Sequence, residues 1–256
     1  MDIKHKNIVL TGASDGIGKE LLIQLSRYEG VKIVAAARHT GNISSSQDKI
    51  YPIDVDLSNK EGVDQLFKYA KEVMKDIDIF IADAGFGYLE RRPKPDWNRI
   101  EEIYHLNFTS TVYAMEKLIQ NSKNRRAAFV SLSSAAGLIP LPYYSLYCST
   151  KSALHFFFET YRYEKPDSID IITVYPVATR TRFFDKASGR EHTPLPKPNQ
   201  NPKTVAGKII KGIEKNKKKV YPYPMFRLSY AVSRAFPFLQ RWYSRREKER
   251  VDKWFS

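Results

Sequence analysis

Seven short runs rich in Val and Ile, at residues 7–10, 32–36, 49–53, 78–82, 126–132, 169–174 and 219–221, alternate with longer segments. The runs lack the polar alternation of a strand with one wet face, so each is expected to be covered on both sides. The longer segments have room for right-handed helical crossovers. The pattern predicts an α/β, single-domain, doubly wound parallel sheet of about seven strands with helices on both faces.

A chain of 256 residues can bury one large core. Residues 1–221 are expected to form that domain, including a substrate loop over about 182–202. Pro194, Pro196, Pro198 and Pro202 exclude regular helix and central strand from the stretch 189–202. After it, Val205, Ile209, Ile210 and Ile213 predict a helix over 204–216, with Thr204 as its cap. Residues 222–256 then form a tail rather than a second domain. Leu228, Val232, Phe236, Leu239 and Tyr243 are at helical spacing there, and Pro237 divides the pattern into two short helices.

Of the net charge of +14, residues 203–256 supply +11, from fifteen Lys and Arg against four Asp and Glu. A basic end on a nearly neutral body argues against nucleic acid as the partner of the main domain. It suits either peripheral contact between residues 225–256 and an anionic membrane, or a C-terminal helix pair that packs over the active site or a partner subunit with its basic face in water. No run of eighteen apolar residues occurs and the first strand-like run is reached by residue 8, so a cytoplasmic chain is expected, with any membrane contact peripheral. Cys148 is the single cysteine and the five histidines show no ligand spacing, so no metal site is expected.

The first run feeds directly into Thr11-Gly-Ala-Ser-Asp-Gly-Ile-Gly18 and then into a segment of helical period. Glycines in such a turn let backbone approach a pyrophosphate, and the helix start offers free N–H groups. Tyr147-Cys-Ser-Thr-Lys151 follows Ser134 by thirteen residues. Tyr28/Lys32, Tyr113/Lys117 and Tyr161/Lys165 share its spacing, but only Tyr147 and Lys151 have the other parts in place. In order, these motifs resemble the short-chain dehydrogenase/reductases over roughly residues 5–221, with the Rossmann fold of that family. Asn107 matches the family's helix asparagine, and Asp56 and Leu57 its adenine contact. Ala84 and Gly85 fall in its NNAG motif, written here Ala82-Asp83-Ala84-Gly85, and Thr181 matches its nicotinamide-contacting threonine. Asp83, and Val177 in place of glycine after Pro176, are departures.

The resemblance implies catalysis by Asn107, Ser134, Tyr147 and Lys151, and dinucleotide binding by Gly12, Ser14, Asp15, Gly16, Ile17, Gly18, Arg38, Asp56, Leu57, Ala84, Gly85, Tyr147, Lys151 and Thr181. Tyr147 is the expected general acid/base in carbonyl reduction, with Lys151 one helical turn away lowering its pKa. Ser134 would polarise the substrate carbonyl, with Ser133 its competitor. The resemblance also gives Lys151 the nicotinamide ribose and Asn107 a water in a proton relay. An acid that would bind ribose hydroxyls is replaced by Ala37, and Arg38 suits a 2′-phosphate, which favours NADP(H) over NAD(H); Asp15 is a counter-signal.

Phe86, Tyr88, Ile139, Leu141, Tyr143, Phe183 and Phe184 are the expected pocket walls and point to a lipid- or steroid-like ketone or aldehyde. Phe156, Phe157 and Phe158 are expected in the core or in a homodimer or homotetramer interface. The reading is therefore a carbonyl reductase. Its rivals are a non-catalytic NADP-binding scaffold, a membrane-surface adaptor working through the tail, and a sugar-nucleotide epimerase, the last usually longer with a different glycine spacing.

Overall fold

The structure is a computed structural model, and it describes residues 1–44, 49–91 and 93–256. Its main sheet consists of β1 (Asn7–Thr11), β2 (Lys32–Ala37), β3 (Ile50–Asp54), β4 (Ile79–Ala82), β5 (Ala127–Leu132), β6 (Ile169–Val174) and β9 (Lys219–Val220). These seven strands pair in parallel in the order β3-β2-β1-β4-β5-β6-β9, so the expected runs and the doubly wound sheet are both present. Pro52 is tolerated because β3 is an edge strand, where the missing N–H removes no inner ladder bond.

Successive strand residues feed opposite faces. Ile8 and Leu10 pack with α1 (Gly16–Leu25) and α7 (Pro202–Glu214) in one core. Val9 and Phe80 pack with α2 (Lys60–Met74), α4 (Ser110–Ser122) and α5 (Ser145–Tyr161) in the other. Phe67, Phe80, Phe129 and Phe158 form a ladder across that second layer, with ring centroids 5.4, 5.3 and 5.6 Å apart. Such pairs add about 0.5–1.5 kcal/mol each beyond burial. The ladder fixes α5 against the sheet. Phe158 is therefore core, whereas Phe156 is exposed.

Several details depart from expectation. Helix α7 starts at Pro202, and its cap is Asn201, whose side chain accepts from Lys203 N–H, rather than Thr204. Proline at the first helical position forfeits no intrahelical bond. The loop region also holds a short parallel pair, β7 (Ala178–Thr179) with β8 (Asn199–Gln200), beside α6 (Phe183–Ser188). In the tail, α8 (Pro224–Ala235) is followed by α9 (Pro237–Phe255), which Pro237 opens and which continues well past Tyr243, where the expected apolar pattern ends. Val251, Trp254 and Phe255 hold that end by packing with Leu89, Tyr144 and Phe184. Among the described residues, no helix is long and apolar enough to cross a membrane.

Candidate active site

One cavity of about 1280 Å³ opens at the carboxyl ends of the strands. It exceeds the roughly 300–1,000 Å³ of a pocket for one drug-sized ligand, leaving space for two molecules side by side. Every sequence-predicted site residue lines it except Gly18 and Asn107. Gly18 lies behind the wall, where a Cβ would come within 2.2 Å of Gly12 O and 2.6 Å of Asp83 Oδ2. Gly12 itself has φ +71° and faces Ala84 N. Both positions therefore require glycine.

Thr11 joins this turn to the end of β4, its hydroxyl accepting from the N–H groups of Asp83 and Ala84, both at 3.1 Å. Asp15 caps α1 through Gly16 N–H at 2.8 Å and pairs with Arg182 at 3.1 Å and Lys186 at 2.8 Å. Burial works against the Asp15 charge, but Lys186, the Gly16 N–H and Arg182 outweigh it and hold the carboxyl below its usual range. With two cations on it, Asp15 opposes a phosphate less than its charge alone suggests. Arg38 is exposed at the other end of the cavity and makes no ion pair among the described residues. A glycine cradle where Cβ atoms would clash, a helix start and a free guanidinium fit a dinucleotide phosphate group.

At the opposite end, α5 presents Tyr147 and Lys151 one turn apart. Ser133 is not a competitor, because its hydroxyl donates to Lys151 O at 2.9 Å and is buried. Ser134, capping the 3₁₀ turn Ala135–Gly137, stands beside the Tyr147 phenol. Lys151 is 5% exposed and donates to Leu132 O at 2.8 Å, with Nζ 5.7 Å from the Tyr147 ring centroid. Of the rival pairs, Tyr28 bonds Glu214, Tyr113 and Lys117 both bond Asp64, and none lines this cavity.

Burial pushes the Tyr147 phenol well above its ordinary range, and the Ser134 hydrogen bond offsets part of this. Burial also lowers the Lys151 ammonium to about 8, against the opposing charge of Asp83. Asp83 is raised to about 7 by burial, with Lys151 and the Gly18 N–H opposing. The departure from the family's Asn thus places here an ionisable carboxyl whose charge acts on Lys151.

Asn107 sits in a π-helical turn, His105–Thr109, and is fully buried. Its carboxamide accepts from Phe86 N–H at 3.0 Å and donates to Phe86 O at 2.8 Å and to Thr150 Oγ1 at 3.1 Å. Both N–H groups are engaged, so the side chain ties the loop after β4 to α5, and any water would have to use its remaining acceptors.

Phe86, Tyr88, Ile139, Leu141, Phe183 and Phe184 line the apolar part of the cavity, but Tyr143 does not. Tyr143 has φ +69° and turns its hydroxyl to Asp252 on α9, while Tyr144 takes the wall position. Met225, Leu228, Val232, Leu239 and Trp242 of the tail line the same space, so the tail packs over the site, one of the two roles its helical pattern leaves open, although none of these residues is among the expected walls. Val177, in place of glycine, holds α8 there by packing with Ala135 and Phe226, and it has no positive φ. Only the helical spacing of the tail's apolar residues hinted at this.

Known proteins share these features. A 3-ketodihydrosphingosine reductase of Dictyostelium discoideum is 29% identical, the match covering 83% of this chain and 73% of the relative. A Sphingobium yanoikuyae short-chain dehydrogenase solved in complex with NADPH has TM-score 0.78 at 22% identity, covering 92% of this chain and 95% of that one. A Burkholderia phymatum short-chain dehydrogenase/reductase solved in complex with NAD has TM-score 0.77 at 17% identity, covering 94% and 96%. At such identities the two structures speak for the fold, while the family model for short chain dehydrogenases matches residues 6–192, from the first strand to just past α6. With most of its length matched and its glycine turn, Tyr147 and Lys151 facing one cavity, the chain belongs to the short-chain dehydrogenase family and is an oxidoreductase.

Proposed function

We propose that this enzyme interconverts a hydrophobic ketone or aldehyde and its alcohol with NADP(H), using Tyr147 as general acid/base. The observation that carries this reading is the Tyr147 hydroxyl at the junction of a dinucleotide cradle and an apolar chamber. When bound, the nicotinamide supplies or accepts a hydride.

The chain's own residues do the rest. Ser134 donates to the substrate oxygen and stabilises negative charge as it develops. Tyr147 delivers the proton to that oxygen in reduction and takes it back in oxidation. Lys151, anchored on Leu132 O, has two N–H groups left for ribose hydroxyls. Asn107 holds the Phe86 loop and α5 at a fixed separation. Arg38 would hold the 2′-phosphate, Asp56 and Leu57 the adenine side, the backbone of Gly12, Ser14, Gly16 and Ile17 the pyrophosphate, with Asp15 capping α1 and Gly18 letting the turn close behind them, and Ala84, Gly85 and Thr181 the nicotinamide side.

The apolar walls, and the similarity to a relative named for reducing 3-ketodihydrosphingosine, support a long or bulky substrate. Homodimer or homotetramer assembly through α5, where Phe156 is 72% exposed, and a cytoplasmic location belong to the same reading. Purified protein given NADPH and a panel of aldehydes, sugars, steroids and long-chain ketones should consume NADPH with the hydrophobic carbonyls. Turnover that survives Tyr147→Phe would sink the mechanism.

A further inference from the structure

From the tail we infer that the elbow between α8 and α9 docks on an anionic lipid bilayer, so that the cavity opens onto the lipid. The inference rests on the reading of the cavity as a site for a hydrophobic carbonyl compound, and it names where that compound comes from.

Six of the large apolar side chains exposed among the described residues, Met225, Leu228, Val232, Phe236, Phe238 and Trp242, fall in this one short stretch. Met225, Leu228, Val232 and Trp242 also line the cavity, so its rim is an exposed apolar surface. Phe236 and Phe238 stand at the elbow, outside the cavity, in edge contact at 6.1 Å. Water-facing phenylalanines with no cavity to line have no role within the chain. Such a patch marks an interaction surface.

Charge chooses the occupant. Arg227, Arg234, Arg241, Arg245 and Arg246 are all exposed, and residues 222–246 contain no Asp or Glu. A second copy of the chain meeting this patch across a twofold axis would bring like charges together. A bilayer with acidic headgroups satisfies both halves, taking the aromatic and aliphatic side chains at the headgroup boundary and the guanidiniums among the phosphates. The end of α9 takes no part. Val251, Trp254 and Phe255 pack inward, and Asp252 bonds Tyr143. The contact expected over 225–256 therefore narrows to 225–246. A substrate dissolved in the bilayer would reach Tyr147 past Trp242 and Leu228 without crossing bulk water.

The test is co-sedimentation of the full chain with phosphatidylcholine vesicles, with and without phosphatidylserine, alongside gel filtration. The wild type should bind the phosphatidylserine vesicles and release them at high salt. Arg241→Gln/Arg245→Gln/Arg246→Gln should bind about 100-fold more weakly, and Phe236→Ser/Phe238→Ser should lose binding while turning over a water-soluble ketone at the wild-type rate. Vesicle binding equal in wild type and both variants overturns the docking, as does a wild type that ignores vesicles and falls to a smaller assembly when the phenylalanines are replaced. Docking without NADPH turnover on any carbonyl supports this surface and overturns the catalytic reading instead; turnover on the soluble ketone without docking does the reverse.

Discussion

The ring of Phe183 lies 5.0 Å from that of Tyr147, tilted by 56°. Gly87 closes the group, since a Cβ there would come within 2.9 Å of Phe183 and 3.3 Å of Tyr147. An apolar wall thus begins at Tyr147 itself, on the helix that follows β7.

Phe183→Ala should therefore act on substrate choice more than on chemistry. For a bulky hydrophobic carbonyl, kcat/KM is expected to fall roughly 10- to 100-fold, mostly in KM. For a small soluble aldehyde that never reaches the wall, the loss should be several-fold at most. Equal losses on both would show that Phe183 serves only to hold Tyr147.

The Asp83 and Lys151 pair gives a pH prediction with a definite sign. Asp83 ionises as pH rises through about 7 and its charge favours the Lys151 ammonium, which is lost as pH rises through about 8. Asp83→Asn removes that support, so the alkaline limb of kcat/KM should move toward lower pH, and a move of about one unit would lower activity at pH 8 about fivefold. Any rise of activity near pH 7 that comes from Asp83 should vanish as well. A pH–rate profile identical in both proteins would count against the coupling.

Arg38→Ala should weaken NADPH binding by about 1.5–3 kcal/mol, the worth of hydrogen bonds to a charged group, and leave NADH binding nearly unchanged. Titration calorimetry with both cofactors measures it. A wild type that prefers NADH would refute the phosphate assignment.

Asp15→Asn keeps the cap of α1 but breaks the ion pairs to Arg182 and Lys186. Because both cations are largely exposed, global stability should change by less than about 1 kcal/mol. Residues 182–202 should nevertheless be cut faster in limited proteolysis, since Asp15 ties that loop to the glycine turn.

The ladder predicts a purely structural cost. Phe158→Ala should destabilise the chain by about 3–5 kcal/mol in denaturant unfolding, because the ring is fully buried against Phe129 and Phe157.

Local chemistry explains what was legible beforehand. Val- and Ile-rich runs can be covered on both faces only in a parallel sheet, so all seven strands could be read from the sequence within a residue or two. The glycine turn, Ser134, Tyr147 and Lys151 were readable because the reaction needs those groups at fixed spacings along single elements. Contacts between distant segments left no such trace. That Ser133 turns inward to Lys151 O, that Tyr143 leaves the pocket for Asp252, and that Asn107 is engaged by Phe86 and Thr150 depend on packing across many residues of sequence separation.

By itself the sequence determined the sheet, the order of the motifs and the family, since periodicity and motif spacing are properties of neighbours in the chain. Only the tertiary structure decided that the tail walls the cavity, that burial raises the Tyr147 phenol, and that the charges of Asp83 and Lys151 act on each other. Those outcomes follow from desolvation and side-chain packing, which exist only once the chain has closed around the site.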